Sequence, residues 1–473
     1  MLNIIRPITD LLPEVAKPTR QNSLKEKLLW TFAALLIFYI LGQIFPIGVD
    51  KAGIAGFERL EILLGSKTGT LITAGIGPII LASIFLQLAV GSGLVKIDLS
   101  NPENKKAFQG LQKLLAIILA FVEGFIYVFS NFIPAAGALA GSTSLPLFGS
   151  VFITQIIVAL QLVAGSLLLL YLDEVVQKHG IGSGISLFIA AGVAQAIFVG
   201  ALSIASTGSV PAGLIPQAIY YLTTGDAARA IWTIIPTIFT IAVFLVAVYA
   251  EGMKLELPLS YGQARGMGAR YPIKFLYVSN IPVILASAVL LNVQLLGLFA
   301  ANAGFPLLGH YQGNQPQDGI AYFATSLPSP LLIVGGYPAY MQFISTPREI
   351  THILVYGLLL VTLSVIFGWF WIESTGMGSR NVAQQLNRSG MQIQGFRQDP
   401  RVTENILDRY IPVITVLGSA FVGILAWFAD ITGALGTGTG ILLTVGIIYK
   451  FYEDLAQQQI FDMYPVLNKI VRR

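Results

Sequence analysis

The chain has no cysteine in its 473 residues, which excludes disulfides, thiolate metal sites and cysteine nucleophiles. Histidine is nearly as scarce. His179, His310 and His352 are the only three, and none pairs at the helical spacing of a zinc site. Charge is thin as well: Asp, Glu, Lys and Arg make up 11% of the residues, against about 25% in soluble domains. The opening "MLNIIRPITDLLPEVAKPTRQNSLKEK" has neither a long apolar core nor a small-residue cleavage site. No removable signal peptide is expected, and the first apolar segment must itself direct insertion. The glycine clusters "GSGISL" (Gly182–Leu187) and "GTGILL" (Gly438–Leu443) lack the Gly-Lys-Ser/Thr continuation of a phosphate loop, so no nucleotide chemistry follows from them. With no nucleophile and base in evident pairing, neither an enzyme nor a cofactor is expected.

What the chain has is hydrophobicity, at 55% of residues and a mean hydropathy of +0.74. Its apolar runs are about 20 residues long, each enough to cross about 30 Å of hydrocarbon as a helix. Bounded by charges and by Gly/Pro clusters, ten spans are expected near 28–45, 70–93, 111–133, 150–172, 182–205, 231–250, 274–297, 350–372, 411–430 and 436–456. The expected fold class is an all-α polytopic membrane protein. If the N-terminus is cytoplasmic, 23 of the 28 Lys and Arg residues lie in cytoplasmic segments, leaving Lys51, Arg59, Lys67, Arg229 and Arg348 outside. That asymmetry predicts cytoplasmic termini.

"GSGISL" opens span five and "GTGILL" opens span ten, at opposite faces by this parity. Two five-span halves of inverted orientation would place them so. The expected organisation is an amphipathic N-terminal segment (1–27), a first half (28–205), an external connection (206–230), a second half (231–456) and a C-terminal tail (457–473).

Between spans one and two, "FERLEILL" sets Phe57, Leu60, Leu63 and Leu64 on one helical face. Eight residues rise only about 12 Å, so this segment cannot span; it either lies on the bilayer surface or folds back into a cavity. Span two follows with "GTLITAGIGPII". There Pro78 is expected to break the helical bonding to Ala74, and Gly75 and Gly77 to thin the helix. Ile76 and Ile80 stand one turn apart on one face, suited to an apolar constriction that blocks ions by dewetting.

Glu123 is the single ionisable side chain well inside a span, and such a group marks a polar interior or pathway. Gln87 in span two and Ser279, Asn280, Asn292 and Gln294 in span seven are expected to form a hydrogen-bonded seam. Two loops on the expected cytoplasmic side, Met253–Lys274 and Gly376–Arg409, are long and carry Arg265, Arg270, Lys274, Arg380, Arg388, Arg397, Arg401 and Arg409. Their length suits docking of a large anionic partner.

"TLITAGIGPII", "SNPENKKAFQGLQKLLAI", "YLDEVVQKHGIGSGISLFIAAGVAQAIFVGAL", "YPIKFLYVSNIPVILA" and "GALGTGTGILLTV" resemble SecY, the central subunit of the protein-translocation channel, in its archaeal and eukaryotic-like form. The likeness runs from about Lys25 to the C-terminus and is weakest over 206–230 and 298–349. It implies ten helices in two inverted halves around an hourglass pore. The pore ring it implies is Ile76, Ile80, Ile185, Ile189, Ile284 and Leu443, with Leu442 one residue away from the last. The plug would be the helix holding Phe57, Leu60, Leu63 and Leu64. A lateral gate between spans two and seven would carry Gln87, Glu123, Ser279, Asn280 and Asn292, with Leu81 where relatives have a threonine. Arg265, Arg270, Lys274, Arg397 and Arg401 become docking candidates. The implied partners are a SecE-type (gamma) subunit, a small beta or SecG-type subunit, a translating ribosome, signal sequences and nascent chains, and membrane lipid, with no nucleic acid other than ribosomal RNA. The implied location is the cytoplasmic membrane. Secretory chains would pass through the pore and transmembrane segments would leave sideways. The alternative reading is a small-solute secondary transporter with inverted repeats, against which stands the lack of a second intramembrane ionisable group.

Overall fold

Residues 12–18, 20, 22–50, 66–91, 102–130, 132–135, 151–207, 210–261, 268–302, 304–312, 315–328, 330, 333, 336–388, 391–393 and 399–463 are described by the structure, a computed structural model. All ten expected spans are helices: Leu24–Leu41, Gly77–Gly91, Pro102–Phe129, Val151–His179, Gly184–Leu202, Ala227–Gly252, Ile281–Asn302, Pro347–Thr375, Pro400–Ile431 and Gly438–Met463. Among the described residues, seven of them, spans three to nine, are long and apolar enough to cross a membrane. Span one opens on the charged turn Lys25–Lys27, held by a capping box in which Ser23 Oγ accepts from Glu26 N and Glu26 Oε2 accepts from Ser23 N. The chain is an all-α polytopic membrane protein.

Two helices start later than expected, and for the same reason. Span two begins at Gly77 instead of near residue 70, and span seven at Ile281 instead of near 274. Ahead of span two the chain makes consecutive tight turns, with Thr70 N donating to Lys67 O (3.1 Å), Thr73 N to Thr70 O (3.1 Å) and Gly75 N to Ile72 O (3.0 Å). These turns are buried, Thr70 and Thr73 fully, so their polar groups must pair internally. The threonines help: Thr73 Oγ1 donates to Thr70 O and Thr70 Oγ1 to Lys67 O. Pro78 therefore does not kink a helix. It sits in the first turn, where the missing N–H has no intrahelical partner to lose.

The approach to span seven repeats this construction. Ser279 N donates to Leu276 O (2.9 Å) as Gly75 N does to Ile72 O, and Gly75 and Ser279 share a φ of 54°, unusual for serine. Pro282 follows Ser279 at the spacing at which Pro78 follows Gly75, and Ile284 takes the place of Ile80. Even the packing is doubled. Gly165 of span four lies so close to the Leu71 carbonyl that a Cβ there would overlap it, and Gly418 of span nine lies against the Phe275 carbonyl, 2.6 Å from where its Cβ would be.

Spans five and ten form a second matched pair, in a register two residues away from the expected one. Gly184 and Gly438, each the first residue of its helix, correspond, so Gly182 (φ 72°) matches Gly436 (φ 79°). The tract "GTGTG" (Gly436–Gly440) admits both registers in sequence; the backbone distinguishes them.

The long loops carry structure of their own. Lys254–Tyr261 and Gly268–Lys274 pair antiparallel, and Met391–Ile393 adds a third strand beside the first. A second apolar cluster joins these loops to the ends of spans eight and nine: Leu257, Ile273, Val278, Val382 and Leu386 pack with Ile372, Leu407 and Ile411. Val382 and Leu386 come from the amphipathic helix Ser379–Arg388. Within the expected connection 206–230 the strands Ser206–Thr207 and Val210–Pro211 form a small hairpin, followed by the helix Leu214–Thr223. The segment at 13–16 is strapped to spans three and four: Lys113 Nζ donates to Pro13 O and Lys178 Nζ to Val15 O, both at 2.6 Å.

Candidate functional site

The six pore-ring candidates come from spans two, five, seven and ten and from the turns before span two. Ile76, Ile80, Ile189 and Leu443 are buried in one continuous apolar cluster, and Ile185 and Ile284 pack against it half-buried. Ile76 is the last residue of the turns and Ile80 lies in the first turn of the helix, joined by the bond from Ile80 N to Ile76 O (3.1 Å). A turn holds Ile76, and the first turn of the helix holds Ile80. From the matched glycines, Ile189 and Leu443 each lie five residues on, which makes Leu443 the counterpart of Ile189. Leu442 is also buried, but its carbonyl accepts from Asn280 Nδ2 at 2.6 Å.

The polar residues divide into two groups. Glu123 and Asn292 line a cavity of about 10 Å³ with Gly77, Ile80, Leu81, Tyr127, Ala288, Leu291 and Leu295. Spans two, three and seven meet there, and the space suits at most one water. Tyr127 Oη donates to Glu123 Oε2 (3.3 Å), while Glu123 Oε1 is buried without a partner. Asn292 turns its amide back to Ala288 O of its own helix (2.7 Å). No direct hydrogen bond joins the two among the described residues, and Leu81 adds none.

Ser279 and Asn280 lie elsewhere, both against Gly446 of span ten. Gln294 is engaged outside the seam, donating to Ala324 O (2.9 Å). The seam expected between spans two and seven thus separates into a contact at Glu123 and Asn292 and a span seven–span ten contact at Asn280. The side chain of Gln87 lies outside the described residues, as do the plug residues Phe57, Leu60, Leu63 and Leu64 and the docking candidates Arg265 and Arg397.

Of the other docking candidates, Arg270 stands on the second strand of the loop hairpin, 77% exposed, with Nη1 2.6 Å from Glu256 Oε2. Arg401 is exposed at the start of span nine, where Asp399 caps the helix by accepting from its backbone N–H (2.9 Å). Lys274 is engaged internally. Its Nζ lies 2.8 Å from both Glu453 carboxylate oxygens and 5.1 Å from the Tyr449 ring centre, which ties the loop to span ten. Tyr277, its hydroxyl pKa pushed up by burial, donates to Met377 O (2.8 Å) and ties one loop to the other. Sequence reading missed this small sheet although a signal was present: "KLELPLSY" alternates leucine with polar residues or proline at the period of a strand.

Comparison with known proteins places this geometry. The family model SecY matches residues 70–452. The chain is 44% identical over 473 residues to the protein translocase subunit SecY of Methanothermobacter thermautotrophicus, covering 98% of each chain. It is 45% identical to that of Methanocaldococcus jannaschii, covering 99% of each. Among solved structures it is similar to a protein conducting channel (TM-score 0.81, 44% identity, 98% of each chain). It is also similar to a SecY whose plug domain stabilises the closed state (0.79, 43%, 98% of each). A third likeness is to Sec61 in the canine ribosome-channel complex from the endoplasmic reticulum (0.78, 44%, 98% of each).

Proposed function

The chain belongs to the SecY family of protein-conducting channels, and from that premise we propose how its residues divide the work of translocation. It is a channel subunit and no enzyme, which sets aside the solute-transporter reading. In the proposed arrangement the termini and the two long loops face the cytoplasm, the membrane is the cytoplasmic membrane, and 28–205 and 231–456 are the two halves, hinged through 206–230.

Ile76, Ile80, Ile185, Ile189, Ile284 and Leu443 form the pore ring. What supports this reading is that spans two, five, seven and ten each bring branched aliphatic side chains into, or against, the large apolar cluster of the helix bundle. Such a collar offers ions no ligand and too little space for a hydration shell, so it seals by dewetting. It makes no directional bond with a peptide, so any sequence can part it. The contact of spans two and three with span seven at Glu123 and Asn292 is the lateral gate. It is held by apolar packing around one small cavity, and an arriving apolar signal helix replaces that packing at little net cost.

Phe57, Leu60, Leu63 and Leu64 form the plug, in keeping with the relative whose plug stabilises its closed state. The loop sheet, with Arg265, Arg270, Arg397 and Arg401, is the docking platform for a translating ribosome, the partner in the canine complex, and an apolar cluster anchors it to spans eight and nine. A SecE-type subunit clamping both halves and a small beta or SecG-type subunit complete the assembly.

The test is reconstitution. Proteoliposomes holding the purified complex should protect a signal-bearing chain from added protease and leave the same chain without its signal exposed. Solute uptake driven by an ion gradient, independent of any signal-bearing chain, would overturn the reading.

A further inference from the structure

Each half of the channel contains a buried aspartate that the pore-ring assignment does not use. Asp173, in the last two turns of span four, is 7% exposed, and Asp430, in the last turn of span nine, is 4% exposed. Both grip the first residues of the span that follows. Asp173 Oδ1 accepts from Ile185 N (2.9 Å) and from Ser183 Oγ (3.3 Å), and its Oδ2 accepts from Gln177 Nε2 (2.7 Å). Asp430 Oδ1 accepts from Gly438 N (2.9 Å), and its Oδ2 accepts from Tyr356 Oη (3.1 Å). Ser183, at the cap position of span five, makes no capping bond of its own, so Asp173 supplies that cap from a neighbouring helix. The fit is close: a Cβ on Gly184 would stand 2.5 Å from Asp173 Cα.

We propose that Asp173 and Asp430 are positioning residues for the pore ring, each fixing the height and rotation of the helix that presents Ile189 or Leu443. The inference rests on the ring reading given above. A helix turns about 100° per residue, so a slip of one residue at the capped end would swing the ring side chain out of the waist. A buried carboxylate aimed at unpaired N–H groups is strong enough to prevent it, because the bond is charge-assisted and is reinforced by the positive end of the helix dipole. The two caps act at opposite ends of the pore axis, Asp173 from the face where span five begins and Asp430 from the face where span ten begins, so the ring is set from both sides.

The test is resting ion conductance of the purified complex in planar bilayers, read beside its thermal stability. Asp173→Ala and Asp430→Ala should raise leak several-fold. Asp173→Asn and Asp430→Asn, whose amide oxygen still accepts from the backbone but carries no charge, should leak less than the alanine variants and more than the unaltered protein. Ile189→Ala serves as the control. If it leaves conductance unchanged, the ring reading itself fails. If it leaks while both aspartate-to-alanine variants seal like the unaltered protein and merely melt earlier, the carboxylates are structural only and the proposal is overturned. Should an alanine variant not accumulate, Asp173→Glu keeps the charge while lengthening the arm by one methylene; raised leak supports the proposal, and an unchanged seal contradicts it.

Discussion

The approaches to spans two and seven are built on one plan, with the same turn, the same φ, the same proline and the same isoleucine. They differ at one informative position. Where the first half has Ile76, fully buried in the apolar cluster, the second has Asn280, equally enclosed but donating to Leu442 O of span ten. Span seven is thereby bonded to its own half at the level of the waist. Span two has only apolar contact there, which is non-directional and yields to sliding. On the proposed gate reading this difference makes span seven, bonded to span ten at Asn280, the expected fixed jaw, and span two, whose interhelical bond from Gln112 Nε2 to Ser83 Oγ runs to span three, the expected moving side.

The largest effect should come from breaking the doubled close approach. Gly165→Ala would force a methyl group into the Leu71 carbonyl, and overpacking of this kind costs about 1–3 kcal/mol or more. A marked fall in melting temperature is expected, followed by loss of soluble complex on size-exclusion chromatography. Gly418→Ala, with a little more room against Phe275, should fall less. Equal effects would break the comparison at its base.

Exchanging the differing residues comes next. Ile76→Asn puts an amide into the buried apolar cluster, at about 1–3 kcal/mol, and should both destabilise the closed channel and raise its leak. Asn280→Ile removes one interhelical hydrogen bond, worth about 0.6–2 kcal/mol in membranes, and should loosen span seven. Its expected readout is export of a substrate with a weakened signal. If Asn280→Ile leaves signal stringency untouched, the fixed-jaw reading fails.

A smaller change tests the gate cavity. Leu81→Thr sets a hydroxyl beside the unpartnered Glu123 Oε1, and the gained bond should favour the closed gate by about 0.6 kcal/mol. Weak signals should then be exported more slowly, with strong signals unaffected. The smallest effect on the channel itself is expected from Arg270→Glu, 77% exposed on the hairpin. It should leave stability unchanged while weakening ribosome binding most at low salt; unaltered affinity would remove Arg270 from the platform.

Much of this was legible in the sequence. Ten apolar runs became ten helices because each must satisfy its backbone internally once in lipid, and the isoleucines stood out against the glycines beside them. Helix starts were not legible at spans two and seven. Apolar residues predominate in Thr70–Ile76 and Phe275–Val278, with no charge to mark a boundary, and only tertiary burial decides that these residues turn. Asn280 read as part of the gate because composition cannot say which neighbour a polar side chain faces. The caps at Asp173 and Asp430 were hidden for a similar reason: both residues lie near span ends, where a charge is ordinarily solvated, and their partners are the helices that follow.

The most direct measurement uses the absence of native cysteine. Single cysteines at Ile76, Ile80, Ile185, Ile189, Ile284 and Leu443 would each be tested for disulfide formation with a cysteine in the middle of an arrested translocating chain. Phe85 and Phe198, both exposed and outside the buried cluster that holds the ring candidates, serve as controls. Adducts from the six positions and none from the controls are predicted. Adducts from the controls as readily as from the six, or from none of the six, would contradict an aliphatic collar around the passing chain.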